Sequence, residues 1–209
     1  DEGTYYFYAQ WQDKSSQFQW PVATLVCVES TFSDVTPDML FFPYIEAIYG
    51  EGITTGYGDG TYGLHDPITR GQMARFLVKA YDLEPLEPDE ASFDDVFEWM
   101  EFYQDIETIY AEGITTGVDE KKFDPNGHVT RGMMAAFIVR ADHNLGRYEP
   151  AEPSFDDVDK EHTFYGYIEA IYDAGITTGV DDVPNYALGE NVTRGQMAAF
   201  LARALGLVD

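Results

Sequence analysis

The chain has 209 residues, 44% hydrophobic and 15% aromatic, with 38 acidic against 12 basic side chains and a formal net charge of −26. This apolar content can fill a core, which excludes a disordered chain, and the charge excludes nucleic acid or an anionic membrane surface as partner, since both need clustered cations. The lone Cys27 cannot form an internal disulfide.

The first thirty residues stand apart. "TYYFYAQW" and "FQWPVATLVCVE" are rich in aromatic and β-branched residues around the turn-like "DKSS". The pattern predicts a β-hairpin, either the end of an upstream domain or a strand pair packed on the neighbouring segment that begins at residue 31. Its aromatics read chiefly as buried strand residues and secondarily as a sugar-stacking surface. The opening at Asp1 reads mid-phrase, as in a fragment of a longer exported polypeptide with an upstream domain. No apolar run is long enough for a membrane span, so no membrane insertion is expected.

From residue 31 the chain repeats itself. "TFSDV" (31–35), "SFDDV" (92–96) and "SFDDV" (154–158) open three units, placed at 31–91, 92–153 and 154–209. Each continues through "YIEAIYGEGITTG", "DIETIYAEGITTG" or "YIEAIYDAGITTG" to "ITRGQMARFLVKA", "VTRGMMAAFIVRA" or "VTRGQMAAFLARA". Acidic, proline-bearing links separate them. The first segment predicts a helix over 41–51 in unit one, ended by Gly52, with Ile53 folding back onto Ile48 as the apolar partner of a Schellman cap. The second predicts a helix beginning at Thr69, Thr130 or Thr193. Gln72 and Gln196 complete capping boxes, and Met73, Phe76, Leu77 and Ala80 form a core-facing stripe that recurs in the other units.

The threonines are explained as N-caps; the arginines that follow them are not. Arg70, Arg131 and Arg194 take three of the chain's seven arginines, at a helix start where the dipole disfavours a cation. Two readings stay open. A guanidinium beside free N–H groups suits a carboxylate or phosphate ligand, and the same arginines could form ion pairs with Asp34, Asp95 and Asp157. Lys79, Arg140 and Arg203, at the favourable helix end, need no functional account. His65, His128, His143 and His162 have no metal spacing, and no phosphate loop or nucleophile elbow is present; no enzyme and no cofactor is expected within these residues. The acidic loops around Asp59 and Asp66 and around Asp119, Glu120 and Asp124 lack an EF-hand ligand pattern and read as solvated.

"F-[SD]-D-V", an aromatic-led helix ending "G-I-T-T-G", and "[IV]-T-R-G-[QM]-M-A", in order and in triplicate, resemble three S-layer homology domains over about residues 31–207. The resemblance implies a mainly α fold with pseudo-threefold helix-loop-helix repeats around a central three-helix bundle. It also implies a cell-surface, S-layer location and grooves between repeats for an envelope polysaccharide, in that family often bearing a pyruvyl ketal. Carried across, Arg70, Arg131 and Arg194 hold the anion. Asp34, Asp95 and Asp157 accept sugar hydroxyls or orient the arginines, and Gly56, Gly117 and Gly179 let backbone approach the ligand. Phe42, Tyr103 and Tyr165, with Phe41, Phe102 and Phe164, stand near the place of the family's tryptophan, where the resemblance gives Phe42, Tyr103 and Tyr165 to the glycan; the other reading is that these rings fill the core, the phenylalanines above all. The family's T-R-A-E has become T-R-G-Q or T-R-G-M. On this reading Arg131→Ala costs binding with a modest loss of stability. The competing reading is a self-assembly or spacer module without a glycan site.

Overall fold

The computed structural model describes residues 7–10, 24–27, 29–88, 90–180 and 184–208. The protein is mainly helical. Strands β1 (Phe7–Gln10) and β2 (Thr24–Cys27) pair antiparallel with Phe7 opposite Cys27. The turn expected between them, with Tyr5, Tyr6, Trp11, Phe18 and Trp20, lies outside the described residues. Six helices follow: α1 (Phe42–Gly50), α2 (Arg70–Ala80), α3 (Tyr103–Ala111), α4 (Arg131–Ala141), α5 (Tyr165–Asp173) and α6 (Arg194–Ala204). Among the described residues, no helix is long and apolar enough to cross a membrane.

Local chemistry sets the helix ends. Thr69, Thr130 and Thr193 accept the N3 amide through their side chains, and the reciprocal glutamine bond closes full capping boxes at Gln72 and Gln196. At the other end of α1, Gly52 takes φ +72°, its N–H donates to Tyr49 O, and Ile53 N–H donates to Ile48 O. These are the two bonds of a Schellman ending, and the pair recurs at Ile114/Ile109 and Ile176/Ile171.

A glutamate on each first helix fastens the opening of its own unit. Glu46, Glu107 and Glu169 accept from the backbone N–H and hydroxyl of Thr31, Ser92 and Ser154 respectively. Glu107 and Glu169 are buried, and a carboxylate out of water stays tolerable only with such donors.

The units are joined in rotation. Helix α2 packs on α3, α4 on α5, and α6 on α1, so the second helix of each unit covers the first helix of the next. Ile68, Val129 and Val192, just before the second helices, complete the circuit: Ile68 N–H donates to Val192 O, Val192 N–H to Val129 O, and Val129 N–H to Ile68 O, at 2.8–3.0 Å. All three side chains are fully buried, as are Met73, Leu77, Met134, Ile138, Met197 and Leu201 on the helix stripes. The periodic residues therefore make one core shared by three units, none of which is large enough to bury its apolar face alone.

Candidate functional site

Two grooves lie where units meet. The first has a volume of about 430 Å³ and is lined by the turn Ile53–Gly58, by Gln72, Arg75, Phe76 and Lys79 of α2, by Glu101 and Phe102 before α3, and by Arg194. The second, about 310 Å³, is lined by Thr177–Val180, by Gln196, Ala199, Phe200 and Arg203 of α6, by Leu40, Phe41 and Tyr44, and by Arg131. Each groove thus takes its walls from two adjoining units and an arginine from the third.

That arginine column is built into the unit interfaces. Arg70, Arg131 and Arg194 are each only 4% exposed. Their Nε atoms donate to Phe123 O, Tyr186 O and Tyr62 O, at 2.6–2.7 Å, each in the loop of the following unit. Their guanidinium carbons lie 4.5–4.7 Å from the ring centroids of those same residues. Burial draws the Arg70 and Arg131 pKa values below their ordinary range, with nearby acidic side chains acting the other way. Arginine stays protonated even so. The Nη2 atoms of Arg70 and Arg131 are buried without a hydrogen-bond partner.

Asp34, Asp95 and Asp157 form no ion pair with these arginines among the described residues, which overturns the salt-bridge expectation. Asp34 instead accepts from Tyr62 N–H and Gly63 N–H, Asp95 from Phe123 and Asp124, and Asp157 from Tyr186 and Ala187. Residues 62, 123 and 186 are therefore gripped on both sides: the amide by an aspartate of its own unit, the carbonyl by an arginine of the preceding one. Such a chain of charge-assisted bonds polarises and stiffens the peptide between the two charges.

The remaining expected residues fall into two groups. Gly56, Gly117 and Gly179 have φ of +67° to +88°, and a Cβ there would come within 2.4–2.5 Å of a carbonyl oxygen in the following loop. Gly56 and Gly179 also line the grooves, so the fold itself requires glycine where backbone faces the open space. The aromatics divide differently from expectation. Tyr103 and Tyr165, 6% and 3% exposed, send their hydroxyls to Pro88 O and Pro150 O in the links, and Phe42 packs against the core. The groove-facing rings are one residue earlier, at Phe41 and Phe102.

The altered T-R-G motif finds its reason here. A Cβ on Gly71, Gly132 or Gly195 would sit 2.6–2.7 Å from the ring of Phe102, Phe164 or Phe41, so glycine lets that ring lie directly on the helix start of the preceding unit. Sequence reasoning also passed over the second cationic column. Lys79 and Arg203 line the two grooves, and Arg203 donates to Tyr44 OH while lying 4.8 Å from its ring. The signal available was the three-fold register of that column, which the helix dipole alone did not exhaust.

Comparison with known proteins identifies the three repeats. The S-layer homology domain model matches three times, at residues 31–74, 92–135 and 154–198. A cell surface protein of Thermoanaerobacter kivui is 32% identical over 178 residues, covering 83% of this chain and 21% of its own length. The S-layer protein EA1 of Bacillus anthracis is 26% identical over 184 residues, covering 87% of this chain and 21% of its own. An endoglucanase of Bacillus sp. (strain KSM-635) is 37% identical over 110 residues, 53% of this chain and 11% of its own. The chain thus spans about a fifth or less of these relatives.

Proposed function

The chain belongs to the S-layer homology domain family, with three tandem domains, and on that premise we propose that it is a non-catalytic anchoring module that holds an envelope polysaccharide in the grooves between its repeats. Its place is the cell surface, and the Thermoanaerobacter kivui and Bacillus anthracis relatives are named for the cell surface or the S-layer. The three domains, taken as 31–91, 92–153 and 154–209, form a pseudo-threefold body around α2, α4 and α6, a reading that the cyclic helix pairing supports. The chain's small share of proteins named for different activities fits a module carried beside other domains of one polypeptide.

The observation that carries the proposal is the second groove. In a chain of net charge −26, it gathers Arg131, Arg203, two threonines and Gln196, with no carboxylate among the described residues of its lining. Such a site attracts an anionic substituent, such as a ketal carboxylate, and offers hydroxyl and amide partners to the sugar. Two or more weak grooves on one rigid body bind a single polymer far more firmly than one groove does, through effective concentration.

The test is co-sedimentation with purified envelope polysaccharide of the source organism, before and after mild acid removal of ketals, for the wild type and Thr178→Asp. Thr178 is an exposed groove residue, so the added carboxylate leaves the fold intact. Binding lost both with the ketals and with Thr178→Asp supports the anionic groove. Binding that survives ketal removal shifts recognition to hydroxyls and rings. No binding by the folded chain favours the spacer reading, which draws its own support from the internal partners that the arginines and aspartates already have.

A further inference from the structure

A turn with the same backbone precedes the first helix of every repeat. Met39 N–H donates to Thr36 O, Met100 N–H to Phe97 O, and His162 N–H to Asp159 O. In the outer repeats a polar bond secures this turn: the Thr36 hydroxyl donates to Asp38, and Glu161 N–H donates to the Asp159 carboxylate. The middle repeat departs from both. Phe97 and Trp99 stand at the equivalent positions and stack in parallel, centroids 5.6 Å apart and planes 5° from coplanar.

Closing the turn does not call for an indole. A threonine or aspartate does the same work elsewhere in this chain, and Trp99 is left 80% exposed, at the cost of keeping a large apolar surface in water. Phe97 lies parallel to the indole at this separation, and most of the Trp99 surface stays open. The turn leads directly into Glu101 and Phe102, which line the first groove.

The surrounding charge selects the occupant. Exposed Glu98 and Glu101 flank Trp99, and the molecule as a whole carries −26, so a second copy of the chain or an acidic peptide is repelled. An uncharged pyranose is not. Its axial C–H face matches a flat indole, and its hydroxyls can donate to neighbouring carboxylates. We propose that the Phe97–Trp99 pair is a stacking platform for an uncharged sugar ring of the polysaccharide, outside the grooves and on the turn that runs into the first of them. This rests on the polysaccharide-anchoring reading, and extends it to a subsite that needs no anion.

The experiment is affinity electrophoresis of the intact chain through gels containing intact or ketal-stripped envelope polysaccharide, comparing wild type, Trp99→Ala and Trp99→Phe, with melting temperatures measured in parallel. Trp99→Ala is expected to weaken retardation about fivefold without changing the melting temperature, and Trp99→Phe to recover most of it. Retardation equal to wild type for Trp99→Ala overturns the platform while leaving the grooves standing. A wild type that is not retarded on either intact or stripped polymer overturns both readings together. If Trp99→Ala abolishes a concentration-dependent dimer in sedimentation and leaves retardation unchanged, the pair is a self-association face and the proposal falls.

Discussion

The first and second grooves are made from equivalent positions yet present different charge. In the second, Arg203 faces Tyr44, and the alanine at position 199 leaves the wall open. In the first, the equivalents are Lys79, Asp105 and Arg75, and Arg75 is taken up by Glu101 at 2.7 Å and Asp105 at 3.0 Å. A cation already held by two carboxylates attracts an external anion far less than one facing a phenol. Near-identical backbones thus give one groove whose described lining is purely cationic and one closer to neutral. The repeat fixes the scaffold, and three side-chain exchanges fix what each wall can attract.

The strongest way to break the contrast is to remove the support beneath it. Arg131→Ala is expected to lower unfolding free energy by about 3 kcal/mol in urea titration, because it strands Tyr186 O and empties a buried site. This reverses the modest cost expected from the sequence, and a loss of binding in that variant reports on folding rather than recognition. Gly56→Ala and Gly179→Ala should each cost about 2–3 kcal/mol, nearly equally, since both combine positive φ with a carbonyl contact. Unequal losses would show that the two turns are not supported alike.

Smaller changes separate the grooves. Thr178→Asp should weaken binding of a ketal-bearing polymer about tenfold, whereas Thr55→Asp, the same change in the first groove, should have little effect; calorimetric titration in low salt reads the difference. The smallest effect concerns Asp105. Burial raises its carboxyl pKa, only partly offset by Arg75, so the folded protein binds this proton at a higher pH than the unfolded chain does. Asp105 therefore subtracts stability above its folded pKa, and that loss fades as pH falls through it. Asp105→Asn should flatten the dependence of stability on pH between pH 7 and weakly acid conditions, by about 1 kcal/mol or less.

The helix ends were legible in the chain because they depend on neighbours in sequence. The threonine caps, the glutamine boxes and the Ile53-to-Ile48 return each lie within six residues, and each has its expected backbone bond. The partners of Arg70 and Asp95 were not legible. Both columns were visible, and opposite charges suggest direct pairing, but the two side chains grip opposite ends of residue 123. Nothing in a linear pattern distinguishes an ion pair from two charges acting across the 123–124 peptide, whose carbonyl meets Arg70 and whose N–H meets Asp95. The groove aromatics were displaced by a single position for a related reason. At a helix start, adjacent residues point to different sides, and only the glycines at 71, 132 and 195 reveal which ring crosses to the neighbouring repeat.

The bonds among Ile68, Val129 and Val192 have a consequence for how such a molecule can evolve. In a linear array, every added repeat finds a free edge to join, and length drifts freely by duplication. Here each of these amides and carbonyls is already spoken for by one of the other two, so a fourth copy would meet no vacancy. The architecture counts to three and stops, and any growth in the parent protein must happen elsewhere along the polypeptide.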